Sequence, residues 1–111
     1  MTTSAGDLEI TYEGEAPTFG GYSSADFFVR RSGEHSLEVN LGLAADAQAL
    51  FEATTGALSG DDVQALLQAL AGRVYPGYID SGRLPPAILL LRAEDIEAGA
   101  VGDILSEAGL A

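Results

Sequence analysis

Hydrophobic and polar residues alternate singly in the first forty positions of this chain, then recur at intervals of three and four. Leu8, Ile10 and Tyr12 are interleaved with Asp7, Glu9, Thr11 and Glu13, the period of a strand with one buried face. Gly14 to Gly21 reads as a loop, punctuated by Pro17 and the Gly20-Gly21 pair, with Phe19 and Tyr22 expected to fold back onto the core. Asp26 to Arg31 follows as a second strand, rich in Phe27, Phe28 and Val29. Ser32-Gly33 suits a turn between antiparallel strands. Beyond it His35, Leu37, Val39, Leu41 and Leu43 share one parity, and Ser36, Glu38 and Asn40 the other. This is the clearest strand pattern in the chain, and it predicts a hairpin.

The period changes after Leu43. From Asp46, Leu50, Phe51 and Thr54 fall at helical spacing, and Gly56 supplies a stop. Ser59 followed by Asp62 forms a capping-box pattern with Asp in the acidic position. Val63, Leu66, Leu67 and Leu70 then make one apolar stripe, predicting a helix that ends near Gly72 and packs antiparallel against the preceding one. Val74 to Pro86 reads as loop, with a type II turn at Pro76-Gly77. Ile88 to Leu91, apolar on both parities, predicts a central strand covered on both faces. Glu94 to Ala108 reads as a last helix presenting Ile96, Ala100, Ile104, Leu105 and Ala108, with a break admitted at Gly99 and Gly102. The order β-β-β-α-α-β-α predicts a single α+β domain over 1–111. Its antiparallel or mixed sheet has about four strands, helices packed on one face, and a flexible segment at 1–6.

Charge changes what this fold is expected to meet. The 111 residues include 17 Asp or Glu against 5 basic residues, all Arg, for a net charge of −12. Such a surface repels nucleic-acid phosphates and anionic lipid, and it steers basic proteins inward. Solubility alone, or a salt-adapted cytoplasm, would select the same excess. No cysteine is present, which removes disulfides, thiolate zinc sites and a cysteine nucleophile. The polar start, Met1 to Asp7, carries no signal-peptide pattern, and no apolar run approaches a membrane span. A cytoplasmic address is the expectation.

Candidate chemistry is sparse. His35 is the only histidine; its parity places it at the end of a strand's core face, with no base or nucleophile partner indicated by spacing. Asp61-Asp62 and Glu94-Asp95-x-Glu97 do not have calcium-loop spacing. Both fall in first turns of predicted helices, where the helix dipole accounts for them. Phosphate-cradling loops need a glycine frame that Gly20-Gly21 lacks, and the P-loop also needs a lysine that the chain does not contain. No cofactor or metal is expected. Phe27-Phe28-Val29-Arg30-Arg31 comes nearest to a nucleic-acid stacking platform, but reads as a core strand with two Arg at its exit.

The residues singled out for binding are Tyr75, Tyr78, Asp80, Arg83, Asp61 and Asp62. A rigid Tyr75-Pro76-Gly77-Tyr78 turn would either display two tyrosines as an anchor or lay one or both rings over the core. Asp80 and Arg83 are placed to form a local ion pair. The leading expectation is a non-enzymatic acidic module that binds a basic protein as inhibitor, regulator or adaptor. A small enzyme with carboxylate, Tyr and Arg groups in a pocket lined by 14–25 and 73–86 is the first alternative. A structural or self-assembling subunit is the second. The sequence fixes neither the partner nor the oligomeric state.

Overall fold

The computed structural model describes residues 2–5, 8–16, 22–31 and 33–110. The alternating segments form strands β2 (Leu8–Glu15), β3 (Ser23–Arg31) and β4 (Leu37–Leu43), and a short β1 (Thr2–Ala5) adds to the edge. Each of these four is antiparallel to its sequence neighbour. Helices α1 (Ala45–Thr55) and α2 (Gly60–Asp80) then carry the chain to β5 (Ile88–Leu91), which pairs parallel with β4. The sheet order is β1-β2-β3-β4-β5. Two 3-10 turns, Ala93–Asp95 and Ala98–Ala100, lead into α3 (Val101–Glu107). From Leu8 onward the order is the predicted β-β-β-α-α-β-α in an α+β domain with a mixed sheet. Residues 2–5 contribute the further strand, while Met1 and Gly6 lie outside the described residues.

One parity of the sheet makes the core. Leu8, Ile10, Ala25, Phe27, Val29, Val39, Leu41, Leu43 and Leu91 are buried against Phe51, Val63, Leu66, Leu67, Leu70, Tyr75, Ile104 and Leu105 from the helices. The predicted hairpin of β3 and β4 forms, with Val29 facing Leu37 and Phe27 facing Val39. Its connection is wider than a two-residue turn. The strands end at Arg31 and resume at Leu37, Gly33 adopts φ 83°, and Glu34 N–H donates to the Arg31 carbonyl at 2.9 Å. Ser32 is outside the described residues. His35 lies in this connection and is exposed, so it does not occupy a core face.

Helix α2 begins as predicted and ends later. Ser59 Oγ accepts from Asp62 N–H and Asp62 Oδ2 accepts from Ser59 N–H, both at 3.1 Å, closing the capping box. The helix then runs through Gly72 and Pro76 to Asp80, replacing the predicted turn. Gly72 costs about 1 kcal/mol and Pro76 about 3 kcal/mol inside a helix. The opposing gain is Tyr75, which continues the Val63–Leu67–Ala71 stripe by one more turn and is 0% exposed. Burying some 150–250 Å² of ring at about 25 cal/mol per Å² is worth roughly 4–6 kcal/mol, of the same order as the two costs together. Along the helices, α2 packs beside α3, and α1 sits against the first 3-10 turn. The two do not form the predicted close antiparallel pair as their main contact.

The last predicted helix is broken as its glycines allow. Arg92 N–H donates to Asp95 Oδ2 at 2.9 Å, and the α-helical part begins only at Val101. Strand β5 differs more. It lies at the sheet edge, not the centre, and Ile88 is 66% exposed. Leu89 and Leu91 face the helices, whereas Ile88 and Leu90 lie on the opposite face. The continuous apolar run therefore reflects two different environments and not a two-sided burial. Among the described residues no helix is long and apolar enough to cross a membrane.

Candidate functional site

The residues singled out from the sequence do not gather. Asp61 and Asp62 occupy the first turn of α2 and Tyr78 its last, about 25 Å apart at 1.5 Å per residue. Asp62 is engaged in the capping box. Tyr75 is wholly interior, tilted against Phe27 with ring centroids 6.3 Å apart, so it belongs to the core and not to an exposed aromatic anchor. Its hydroxyl is buried without a partner among the described residues, and burial, with Tyr78 second, pushes its pKa up. Tyr78 is half-buried, and the Arg83 guanidinium lies over its ring at 5.0 Å. Arg83 Nε also donates to Ser81 Oγ at 3.3 Å. Asp80 is exposed at the helix end; Arg83 stacks and does not form the expected ion pair with it among the described residues.

Among the described residues, a concavity forms that shares only Arg73 with the segments 14–25 and 73–86. It is a groove of about 390 Å³ between α2 and α3, lined by Ala65, Gln68, Ala69, Gly72, Arg73, Glu107 and Ala108. Residues 73–80 are helical, and 17–21 lie outside the described residues. Across the groove mouth Arg73 donates to both carboxylate oxygens of Glu107, at 2.8 and 2.9 Å. That bond holds the Glu107 carboxyl below the usual carboxylate range and raises Arg73 further. General acid catalysis needs a carboxyl moved the other way. Small side chains, Gln68 and one satisfied ion pair line this groove.

Polar groups inside the fold are tied to structure. Tyr12 donates to Gln64 Oε1 at 2.8 Å, and Gln64 Nε2 donates to the Ser24 carbonyl at 3.3 Å. Burial first, then Glu15 and Asp61, raise the Tyr12 pKa. No described carboxylate is buried. Among the described residues no three His, Asp or Glu side chains come together as a metal-binding group.

What the sheet does assemble is its bare face. Among the described residues the helices cover one side, and the opposite parity stands in cross-strand rows that are exposed at Arg30, Glu38 and Ile88 and buried at Ser24 and Gly42. Glu9 faces Arg30, with a 3.5 Å ion pair between exposed groups. Thr11, Phe28 and Glu38 lie side by side on β2, β3 and β4. Asp26, Asn40 and Ile88 form the next row, in which Asn40 Nδ2 donates to Asp26 Oδ1 at 3.0 Å and to Ser24 Oγ at 3.3 Å. Ser24, Gly42 and Leu90 form the last. Tyr22 packs over Gly42 on this face, not on the helix side. A methyl group at Gly42 would come within 2.6 Å of the Tyr22 ring and 3.2 Å of Leu90. This face thus carries half-buried Phe28, Leu90 and Tyr22 and exposed Ile88, with Glu38, Asn40 and Asp26 between Phe28 and β5. Phe19 is outside the described residues.

Sequence reasoning grouped Phe28 with Phe27 and Val29 as core. The signal that separates them is parity. Phe28 alternates with Asp26 and Arg30, whereas Ala25, Phe27 and Val29 alternate together into the core. No family model, curated protein or solved structure matches this chain.

Proposed function

We propose that this chain is a non-enzymatic interaction module that receives a basic protein on the bare face of its sheet. The observation that supports this reading is the juxtaposition of Phe28 with Glu38 and Asp26 on a sheet surface that no helix among the described residues covers. A solvated antiparallel face is ordinarily polar at these positions. Here an aromatic side chain sits at its middle strand, with carboxylates beside it to receive Arg or Lys. The charge of −12 would draw a basic partner inward and speed encounter, while the aromatic ring would supply the desolvated anchor. The enzyme alternative has less support, since the groove between α2 and α3 presents its one carboxylate as a satisfied ion pair.

Affinity capture from native lysate tests the reading. The wild-type chain should retain a protein of net positive charge at about 20 mM salt and release it at about 500 mM, where screening shortens electrostatic reach to a few ångströms. Phe28→Ser combined with Glu38→Arg, checked for unchanged circular dichroism, should retain none of it at low salt. Retention indifferent to both salt and the double substitution removes the reading.

A further inference from the structure

Among the described residues, strand β5 ends the sheet with a free hydrogen-bonding edge. Asn40 N–H donates to the Ala87 carbonyl at 2.8 Å and Ala44 N–H to the Leu91 carbonyl at 2.9 Å. In a parallel ladder of this register, Ala87, Leu89 and Leu91 therefore turn their backbone toward β4, and Ile88 and Leu90 turn both N–H and C=O away from it. Neither residue has a backbone partner outside the ladder among the described residues. Besides brevity, which its four residues give β5, the usual protections of a sheet edge are charged side chains, an internal proline or a bulge. Ile-Leu-Leu-Leu has none of these. The exposed large hydrophobic residues of the described chain, Leu84 at 77% and Ile88 at 66%, lie just before this edge and on it.

The charges flanking β5 say what pairs with it. Arg83 is exposed before the strand, and Glu94 and Asp95 are exposed after it. An antiparallel copy of the same strand, with Ile88 facing Leu90 of the second copy, carries Arg83 of each chain toward Glu94 and Asp95 of the other. The two-fold axis makes that attraction occur twice, and it sets Ile88 and Leu90 against each other in both directions. A basic extended segment would instead meet Arg92, next after the strand, and approach Arg83, five residues before it. We infer that β5 is a self-association edge through which two copies join antiparallel into one continuous sheet. This inference is independent of the basic-partner reading, which uses the centre of the bare face.

The full chain, at fixed salt near 0.15 M, is followed by sedimentation equilibrium over a wide concentration range. The expected result is a monomer–dimer equilibrium that shifts with concentration, with Ile88 and Leu90 amide exchange slowing as dimer forms. Ile88→Pro deletes an N–H that β4 does not use, so the fold should survive and the dimer should vanish at all concentrations. Arg83→Glu should weaken dimerisation by about tenfold or more, and adding Glu94→Arg should restore it. Wild-type chain that stays monomeric to about 1 mM overturns the inference. So does a dimer in which the Ile88 and Leu90 amides remain unprotected. The exchange measurement on unaltered protein decides the matter even if Ile88→Pro fails to fold.

Discussion

Tyr75 shows at the scale of one residue how burial and hydrogen bonding are separable. Its ring fills the core beside Phe27, while its hydroxyl is enclosed without a partner among the described residues. An unsatisfied buried hydroxyl costs about 1–3 kcal/mol, and loss of a buried aromatic ring about 3–5 kcal/mol. Tyr75→Phe should therefore leave stability unchanged or raise it by about 1 kcal/mol. Tyr75→Ala should lower it by about 3–5 kcal/mol. Urea unfolding midpoints of the two variants check both signs together; a Phe variant weaker than wild type would mean that the hydroxyl is satisfied. The sequence left this residue between anchor and core, because a Pro-Gly pair follows it and local turn chemistry pointed outward. Helical spacing from Val63 through Ala71 to Tyr75 pointed inward, and the interior decided. Phe28 is the reverse case: a strand rich in aromatics reads as core throughout, and only its alternation with Asp26 and Arg30 reveals the open face.

Between elements, α3 is held to α2 by apolar packing of Ile104 and Leu105 into the core and by the Arg73–Glu107 pair across the groove. Both charged side chains are more than a third exposed, so the pair is worth at most about 1 kcal/mol. Glu107 titrates below its ordinary value because Arg73 donates to its ionised form. A depressed carboxyl contributes stability above its unfolded pKa and loses it as pH falls through the folded value. Glu107→Gln should thus lower the urea midpoint near neutral pH, with the gap to wild type closing below about pH 4. A gap that persists unchanged in acid would assign the loss to packing. The start of α2 and the stop of α1 were legible from the chain because caps are local, as Ser59, Asp62 and Gly56 illustrate. The end of α2, the start of α3 and the place of β5 in the sheet were not. The extension of α2 past Gly72 depends on what Tyr75 meets across the fold. The edge position of β5 depends on which strand β4 leaves unpaired, and no property of Ile88–Leu91 alone contains that.

For the whole molecule the dominant fact is a charge of −12 on a body of 42 × 29 × 24 Å, with two ion pairs among the described residues. The charge was fully legible in the sequence; that helices cover one sheet face was legible from the polar parities of β2 and β4, while the aromatic Phe28 on the other face was not. At about 10 mM salt the screening length is about 30 Å, so carboxylates on opposite sides of the molecule still repel. At about 0.15 M it falls to about 8 Å, and only neighbours interact. Self-repulsion destabilises the compact state, so sodium chloride should raise the melting temperature, most steeply below about 0.15 M. A gain of about 1 kcal/mol corresponds to roughly 4–8 °C for a domain near this size. Screening also predicts the shape of the response: saturation once the screening length drops below the spacing of neighbouring carboxylates, unlike the continued rise that excluded solutes such as sulfate produce. Calorimetry across chloride concentrations distinguishes the two. A melting temperature that does not move would show that the carboxylates are already too far apart, or too well hydrated, to work against the fold.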